Sequence, residues 1–527
     1  FRAAVEAGAG NIMSAYMDLN GVPASGNRWL LTDMLRGQFG FTGWVVSDAN
    51  AVRSLAVQHF AADLTDAGAR ALHAGLDMEM CMFDPAYGRL PEAVAAGRVS
   101  EAELEAAVLR VLEAKFRLGL FENPYVDEAA APVVLAEAAH REVAREAAGK
   151  TFVLLKNDPP AGSGAPLLPL SGQRKIAVVG QLADAPRDIL GPWVFDHDID
   201  ETVTILAGLR ARAGADVEVG YAPGVRPFTR LFPSMFDDMD HGLPAVADDF
   251  DDDAELARAV ELAAAAEVAV VVVGQSQNMI GEKASTSTLD LPGRQPELLQ
   301  KVLATGTPTV VLVMSGRPLD LRWAAEHVPA ILQVWYPGSR GGDAVASALF
   351  GDVVPAGRLP FTWPRTVGQV PMPYSHYRTF QPEEADKRYW DEESTPLWPF
   401  GHGLSYASFR YGEPRLSAAE VAVGETVTVS VDVTNTSGVA ADEVVQLYVH
   451  QRYGTSSRPV CELKGFERVG IDAGETRTVT FELGPDQLRY WSAATRDWVQ
   501  DATDLDVWAG GSSAVAASES GTVLRVR

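Results

Sequence analysis

The sequence predicts a multidomain chain in which two α/β regions are followed by an all-β region. Three observations lead to this prediction. Short apolar runs alternate with helix-like segments over residues 1–123, longer Val/Ile/Leu runs alternate with helices over 124–365, and a period-two pattern follows residue 405. Strands that alternate with helices are typical of parallel sheets, whereas period-two alternation is typical of antiparallel sheets with one buried face.

Composition excludes several classes of protein. The 527 residues are enough for two to four domains, and the net charge of −26 argues against a nucleic acid or an anionic membrane as the main partner. Apolar runs stay short of the roughly 18 residues of a membrane helix. The two cysteines, Cys81 and Cys461, are too few for a disulfide scaffold or a Cys-rich zinc site. The nine histidines form no H-E-x-x-H motif, so we expect no metal.

The first region reads as three strand–helix units. One predicted helix begins just after Ser100, and Glu103 follows three residues later. This spacing is that of a capping box. The predicted strands are 11–16, 44–48 and 76–80, and the predicted helices are 24–39, 63–75, 90–96 and 100–118. Such units favour a parallel sheet.

The second and third regions differ in the period of their apolar residues. After a linker at 123–132 and a helix at 136–149, four apolar runs are long enough for strands covered on both faces, which predicts a doubly wound sheet. These runs are 175–180, 268–274, 309–316 and 330–335. Residues 366–404 read as an extended connection rich in proline and aromatics. Beyond it, period-two strands at 426–434, 442–450 and 477–483 predict a β-sandwich of immunoglobulin or fibronectin type.

Two carboxylates are candidates for chemistry. Asp48 ends the strand "WVVSD", where catalytic residues of parallel α/β folds collect, although an aspartate there is also a good helix N-cap. The polar loop 274–299 carries Glu282 and Asp290, which could equally be solvated loop acids. A carboxylate pair is what glycoside hydrolysis requires, but the spacing of Asp48 and Glu282 does not show that they meet.

Several motifs then point to a family. "GFTGWVVSDANAV" resembles the nucleophile signature of glycoside hydrolase family 3, and "NIMSAYMDLNGVPASGNRWLLTDMLR" and "AGLDMEM" resemble the segments on either side of it. "TFVLLKND", "PAGRLPFTWPR" and "PLWPFGHGLSYASF" resemble the family's second domain and its exit. The resemblance implies the C-terminal part of a (β/α)₈ barrel at 1–123, an α/β sandwich domain at 124–365, the connection at 366–404, and a fibronectin type III-like domain at 405–527.

The resemblance also implies residue roles and an activity. Asp48 matches the nucleophile, Glu282 matches the general acid/base better than Asp290 does, and Tyr16 matches a tyrosine that hydrogen-bonds to the nucleophile. Met13 lies close to Tyr16, and barrel core is the alternative for both. Trp193 is a candidate for stacking on the sugar, with core packing as its alternative. The implied activity is a cofactor-independent, retaining, exo-acting β-glucosidase, with a β-xylosidase or a non-catalytic glycan-binding relative as alternatives.

The first region is shorter than a whole barrel of roughly 250 residues. By comparison with the family, we expect the chain to enter near the sixth barrel strand and to lack the Lys-His motif that binds sugar hydroxyls. A piece of a longer chain is the favoured explanation; a barrel segment supplied by a separate chain and an inactive relative are the others. The expected partner is an oligosaccharide or glycoside, a homodimer is the prior expectation, and a periplasmic or secreted location is favoured over a cytoplasmic one.

Overall fold

The computed structural model describes residues 1–135, 137–195, 197–228, 231–232, 250–378, 388–518 and 521–527. The chain divides into two compact units, Phe1–Leu135 and Ala136–Arg527. Residues 379–387 of the predicted connection and residues 229–230 and 233–249 of the predicted α/β domain lie outside the described residues.

The first unit is built around a small parallel sheet. This sheet consists of β1 (Asn11–Ser14) and β4 (Trp44–Ser47), and a separate antiparallel pair is formed by β2 (Asp18–Leu19) and β3 (Val22–Pro23). The helices of this unit are α1 (Arg2–Glu6), α2 (Ala51–Val57), α3 (Leu64–Ala74), α4 (Leu90–Ala95), α5 (Glu101–Arg117) and α6 (Ala130–Leu135), with 3₁₀ turns at Ala24–Gly26 and Tyr87–Arg89. Strands β1 and β4 pair in parallel with Met13 opposite Val46, so their carboxyl ends lie side by side.

Two predicted elements of this unit differ in the structure. The helix predicted over 24–39 is a 3₁₀ turn followed by a π-type helix at Trp29–Gln38, because Asn27 adopts an extended conformation and its Oδ1 accepts the Leu30 N–H at 3.0 Å. The strand predicted over 76–80 is reduced to a single parallel bridge between Met78 and Val46. The Val45 N–H is taken by the Asp77 carboxylate at 2.8 Å, so it is not available to a backbone ladder.

The second unit begins with a three-layer α/β sandwich. Its strands are β5 (Val153–Asn157), β6 (Lys175–Val179), β7 (Glu218–Ala222), β8 (Val268–Gly274), β9 (Thr309–Met314) and β10 (Ala330–Gln333), in the order β5-β10-β9-β8-β6-β7. Strands β6 to β10 are parallel and β5 is antiparallel. Sequence reasoning found the four apolar runs and missed β5 and the edge strand β7, whose residues are mostly half-buried or exposed.

Helices cover both faces of this sheet. The helices are α7 (Ala138–Thr151), α8 (Ile205–Ala213), α9 (Asp252–Ala264), α10 (Gln295–Leu303), α11 (Arg322–His327) and α12 (Gly341–Leu349). Shorter 3₁₀ turns lie at Gln181–Asp184, Asp188–Leu190, Ile199–Glu201, Gln277–Met279 and Val367–Gln369. Val270 and Val272 pack under α7, α8 and α12, whereas Val271 and Val273 pack under α9, α10 and α11. The uninterrupted apolar runs therefore reflect strands that are buried on both faces.

The C-terminal part of this unit is a two-sheet β-sandwich. Its strands are β11 (Phe409–Tyr411), β12 (Arg415–Leu416), β13 (Glu420–Val421), β14 (Val427–Asn435), β15 (Ala441–Gln451), β16 (Glu462–Ile471), β17 (Thr476–Leu483), β18 (Tyr490–Ser492), β19 (Asp497–Val499), β20 (Thr503–Gly510) and β21 (Thr522–Val526), with α13 at Pro485–Leu488 and a 3₁₀ turn at Ser513–Ala517. One sheet runs β11-β14-β12 with β17 on β14, and the other runs β13-β21-β20-β15-β16. Every second residue of β14 is buried, which is the period-two pattern expected for a sandwich core.

Candidate active site

Asp48 lies directly beyond the carboxyl end of β4. Its backbone N–H donates to the Ser14 carbonyl at 3.1 Å, which ties it to the end of the neighbouring strand β1. Its Oδ1 accepts the Tyr16 hydroxyl at 3.1 Å and the Ala49 N–H at 2.7 Å, whereas Oδ2 accepts no hydrogen bond from any described residue. Helix α2 begins at Ala51 with another residue at its N-cap, so Asp48 does not act as the helix cap.

The turn after Asp48 is pinned to the segment that follows the third predicted strand. Asn50 adopts a left-handed conformation with φ +61°, and its Oδ1 accepts the Met82 N–H at 3.1 Å. Ser47 Oγ accepts the Met80 N–H at 2.9 Å. A non-glycine residue with positive φ is strained, and such strain concentrates at functional sites. Sequence reasoning missed the role of Asn50, although an asparagine two residues after a strand end is a recognised signal for such a turn.

Met13 lies on β1, and Tyr16 lies just after this strand and contacts Asp48. The Tyr16 hydroxyl also donates to the Ala49 carbonyl at 2.6 Å, so one hydroxyl bridges the carboxylate and the backbone next to it. Met13 is 52% exposed and Tyr16 is 36% exposed, so neither is part of a closed core in this unit. The structure thus brings Tyr16 to Asp48; a sugar contact by Met13 stays a prediction.

A buried ion cluster around Asp77 holds β4 in place. Asp77 is 1% exposed and bonds Arg36 at 2.6 Å, Arg110 at 2.5 Å and the Val45 N–H at 2.8 Å. Burial is the main cause that lowers the pKa of Arg36, and Asp77 acts against it. A buried carboxylate is tolerable when both its oxygens are paired and hydrogen-bonded in this way. Asp77 therefore holds the strand that presents Asp48. Its polar partners are 32 to 41 residues away in the chain and left no local signal in the sequence.

Glu282 and Trp193 lie on two loops of the second unit that touch each other. Gly281, with φ +86°, packs so closely on the other loop that a Cβ would meet Pro192 Cβ at 2.9 Å. Glu282 is exposed, and Lys283 after it has φ +57°. Trp193 has φ +64°, is 52% exposed and packs edge-on against Phe195 at 5.5 Å. The structure therefore brings the predicted acid/base and the predicted stacking residue together, and it does not bury Trp193 in a core.

The Glu282 loop is anchored at its base by buried groups. Asp188 Oδ1 accepts the Gln277 N–H at 2.7 Å, and the Gln277 side chain donates to the Gly191 carbonyl. The Tyr336 hydroxyl donates to the Gln275 carbonyl at 2.8 Å. Burial raises the pKa of Asp188 and of Tyr336. These anchors explain how a long polar loop holds a defined shape.

The alternative carboxylate of this loop occupies a different environment. Asp290 lines a cavity of about 460 Å³ together with Asp320 and Trp323, and Glu282 is not among the residues that line it. The choice of Glu282 over Asp290 as the acid/base stays a prediction.

Within the described ranges, no group of three or more His, Cys, Asp or Glu side chains could hold a metal ion. No helix in the part of the chain that the structure describes is long and apolar enough to cross a membrane.

Comparisons with known proteins agree on one family. Residues 1–114 match the glycosyl hydrolase family 3 N-terminal domain, residues 152–406 its C-terminal domain and residues 443–513 a fibronectin type III-like domain. The chain is 40% identical over 512 residues to a periplasmic beta-glucosidase of Salmonella typhimurium, which covers 93% of the chain and 65% of the relative. It is 37% identical to a beta-xylosidase of Formosa agariphila, which covers 95% of the chain and 68% of the relative.

A solved structure shows the same architecture. The beta-glucosidase of Listeria innocua in complex with isofagomine superposes with a TM-score of 0.87 at 32% identity, over 100% of this chain and 69% of that one. The chain thus spans about two thirds of the length of the relatives it matches. The predicted fold class is confirmed, with β/α barrel-type units, an α/β sandwich and a fibronectin type III-like sandwich, whereas the finer domain boundaries stay predictions. From its two hydrolase domains and these relatives, the chain belongs to glycoside hydrolase family 3.

Proposed function

We propose that the chain is a retaining, exo-acting β-glycosidase that removes terminal non-reducing β-D-glucosyl residues. The observation that carries this proposal is the Asp48 carboxylate at the carboxyl end of β4. One of its oxygens is held by Tyr16 and Ala49, and the other is left without a partner among the described residues. A carboxylate that is oriented but not neutralised is suited to attack an anomeric carbon.

The proposed mechanism has two displacements at one carbon. Asp48 Oδ2 attacks the anomeric carbon while Glu282 gives its proton to the leaving oxygen, which yields a glycosyl ester on Asp48 and a free alcohol. Glu282, now ionised, takes a proton from water, and the hydroxide attacks the same carbon and releases Asp48. The sugar leaves with its anomeric configuration retained. That Asp48 and Glu282 act on the same bond is part of the proposal.

A β-xylosidase is the second candidate. Its support is the beta-xylosidase of Formosa agariphila, which is nearly as similar to this chain as the Salmonella typhimurium beta-glucosidase is. Glucose differs from xylose by its exocyclic hydroxymethyl group. The ratio of kcat/KM for nitrophenyl β-D-glucoside and nitrophenyl β-D-xyloside therefore decides between the two activities.

The nucleophile is tested by trapping as well as by turnover. A β-glucoside that carries fluorine at C2 and a good leaving group reacts quickly to form the glycosyl ester on the nucleophile. That ester is then hydrolysed slowly, so it accumulates. We expect intact-protein mass spectrometry to show one added fluoroglucosyl group and peptide mapping to place it on Asp48. The Asp48→Asn variant should show neither the adduct nor turnover, whereas Asp18→Asn, an exposed aspartate in β2, should behave as wild type.

Other results would decide against the proposal. Label on a different residue, or full turnover by Asp48→Asn, would remove Asp48 as the nucleophile. Saturable sugar binding by calorimetry with neither adduct nor turnover would identify a non-catalytic glycan-binding relative.

We further propose a periplasmic or secreted location, supported by the name of the Salmonella typhimurium relative. The homodimer stays a prediction.

A further inference from the structure

Arg317 also holds the Glu282 loop, the segment between β8 and α10. Arg317 follows β9, and its Nη2 donates to the Met279 carbonyl at 3.2 Å and to the Ala284 carbonyl at 2.7 Å. These two carbonyls lie three residues before and two residues after Glu282. A single guanidinium group therefore closes the segment that presents this carboxyl group, as a rigid planar fork of donors allows.

A third contact extends this set of Arg317 hydrogen bonds, here called the clamp, along the loop. Arg317 Nη1 donates to the Thr286 hydroxyl at 3.2 Å, and that hydroxyl donates to the Thr288 carbonyl at 2.7 Å. All three acceptors of the guanidinium are thus in one loop. Secondary structure gives this loop little support, because its only regular element among the described residues is the 3₁₀ turn at Gln277–Met279.

The backbone of Arg317 is itself fixed to the sheet. Ser315 Oγ donates to the Arg317 carbonyl at 2.9 Å, and Gln333 Nε2 donates to the Ser315 carbonyl at 2.8 Å. Ser315 and Gln333 are both fully buried at the ends of β9 and β10. The clamp therefore connects the loop to strands inside the sandwich sheet.

Within the part of the chain that the structure describes, Arg317 has no acidic partner to compensate its charge. It is half-buried, yet among the described residues no carboxylate lies within 4.0 Å of its guanidinium group. Burial lowers the pKa of Arg317. Placing a cation in such surroundings without a counter-ion is unfavourable, so packing alone does not explain an arginine here. Its donors are spent on loop carbonyls that no neutral side chain of similar length could bridge together.

We infer that Arg317 is a positioning residue that holds Glu282 in place for proton transfer. The inference rests on the proposed function, because it assigns Arg317 a task in the step that Glu282 performs. Proton transfer requires the donor to lie within hydrogen-bonding distance of the leaving oxygen, so small displacements of the loop reduce it. Nucleophilic attack by Asp48 does not pass through this clamp.

The kinetic test compares substrates that need the acid to different extents. Phenyl β-D-glucoside has a poor leaving group that needs protonation, whereas 2,4-dinitrophenyl β-D-glucoside has a good one that does not. For Arg317→Ala we expect kcat/KM to fall by about 10- to 100-fold on the phenyl glucoside and by less than about 3-fold on the dinitrophenyl glucoside. Arg317→Lys, which keeps the charge but loses the fork, should lie between wild type and Arg317→Ala.

Two further variants separate the possible failures. For Glu282→Gln we expect kcat/KM to depend on the leaving group in the same way, with a larger loss on the phenyl glucoside. Arg212→Ala breaks an exposed ion pair with Asp352 and should match wild type on both substrates. If Glu282→Gln loses nothing, the acid/base assignment of the proposed function fails and this inference fails with it. If Glu282→Gln is impaired but Arg317→Ala is not, or if Arg317→Ala loses the same factor on both substrates, this inference alone is overturned.

A measurement without turnover tests the clamp itself. Trypsin cleaves after lysine, and Lys283 lies next to Glu282 in the exposed part of the loop. We expect Arg317→Ala to be cut after Lys283 at least about 10-fold faster than wild type, because cleavage follows the population of the open loop. Arg212→Ala should be cut at the wild-type rate. An unchanged rate in Arg317→Ala would overturn the inference even for a chain that shows no hydrolysis.

Discussion

Replacing Glu443 with Ala should strongly destabilise the second unit. Glu443 belongs to the fibronectin type III-like sandwich, and its Oε2 bonds Arg358 of the α/β sandwich at 2.7 Å while its Oε1 accepts the Tyr411 hydroxyl at 2.6 Å. The side chains of Arg358 and Glu443 are only 9% and 4% exposed. Truncation therefore leaves a buried guanidinium and a partly buried hydroxyl without this acceptor, and Arg358 Nε already has no hydrogen-bond partner among the described residues.

The expected cost follows from these contacts. Breaking a buried ion pair by removing one partner costs about 3–5 kcal/mol, mostly because the remaining charge stays buried. A cavity of about 460 Å³ that Arg358, Tyr411 and Glu443 help to line can admit water to the orphaned groups. We therefore expect about 3 kcal/mol, at the lower end of that range. The double variant Arg358→Met/Glu443→Leu removes both charges, so it should cost less than Glu443→Ala alone.

The assay is thermal unfolding of the whole chain by calorimetry. Arg358→Met, Glu443→Leu and their double variant form a mutant cycle, and Glu443→Ala is measured beside them. The control is Glu482→Ala, an exposed glutamate in β17, whose effect should stay within about 0.5 kcal/mol. A loss below about 1 kcal/mol for Glu443→Ala would show that the pair is hydrated and unimportant. Single-variant costs that simply add up in the double variant would show that Arg358 and Glu443 are not coupled.

Three further substitutions test the local structure, each by the same unfolding assay. Ser100→Ala removes the side chain that caps α5 and should cost about 1 kcal/mol. Hydrogen bonds from Ser100 and His73 lower the pKa of Glu103 from 4.5 to about 2. The stabilisation that ionised Glu103 gives the fold is therefore present above pH 4.5 and is lost as the pH falls towards 2. Ser100→Ala should lose less stability than wild type over that pH interval. Gly274→Ala would place a Cβ 1.9 Å from the Met314 carbonyl oxygen at φ +138° and should cost roughly 2 kcal/mol or more, and a neutral outcome would contradict that close approach. Asp77→Ala leaves two arginines without their shared carboxylate and should cost about 3–5 kcal/mol, so a loss near zero would contradict its role in holding β4.

The parts of the fold that were predictable are those with a strong local pattern. Strands β8, β9 and β10 are uninterrupted apolar runs, and the capping box of Ser100 and Glu103 forms as predicted. Strand β7 was missed because an edge strand needs no such run. The helix predicted over 24–39 was wrong in its first turn and in its type, because Asn27 interrupts it with a contact that its apolar spacing does not reveal.

The sequence led to candidate site residues, which stay predictions, but not to the contacts that they make. The end of β4 and its signature pointed to Asp48, yet the contact with Tyr16 spans 32 residues and depends on the parallel register of β1 and β4. Likewise, nothing in the spacing of Gly281 and Pro192 indicates that their loops touch. Contacts of this kind are set by how strands and loops pack in three dimensions, which periodicity does not encode.

The bridging hydroxyl of Tyr16 has a consequence for the reaction cycle. It holds one proton but faces two acceptors, the Asp48 carboxylate at 3.1 Å and the Ala49 carbonyl at 2.6 Å. In the proposed mechanism Asp48 becomes an uncharged ester, and this proton could then settle on the carbonyl without any atom moving far. The tyrosine thus stays satisfied in both halves of the cycle, and the carboxylate regains a waiting donor when it is set free. Tyr16 would in this way smooth the change in charge, sparing the site a rearrangement at each turnover.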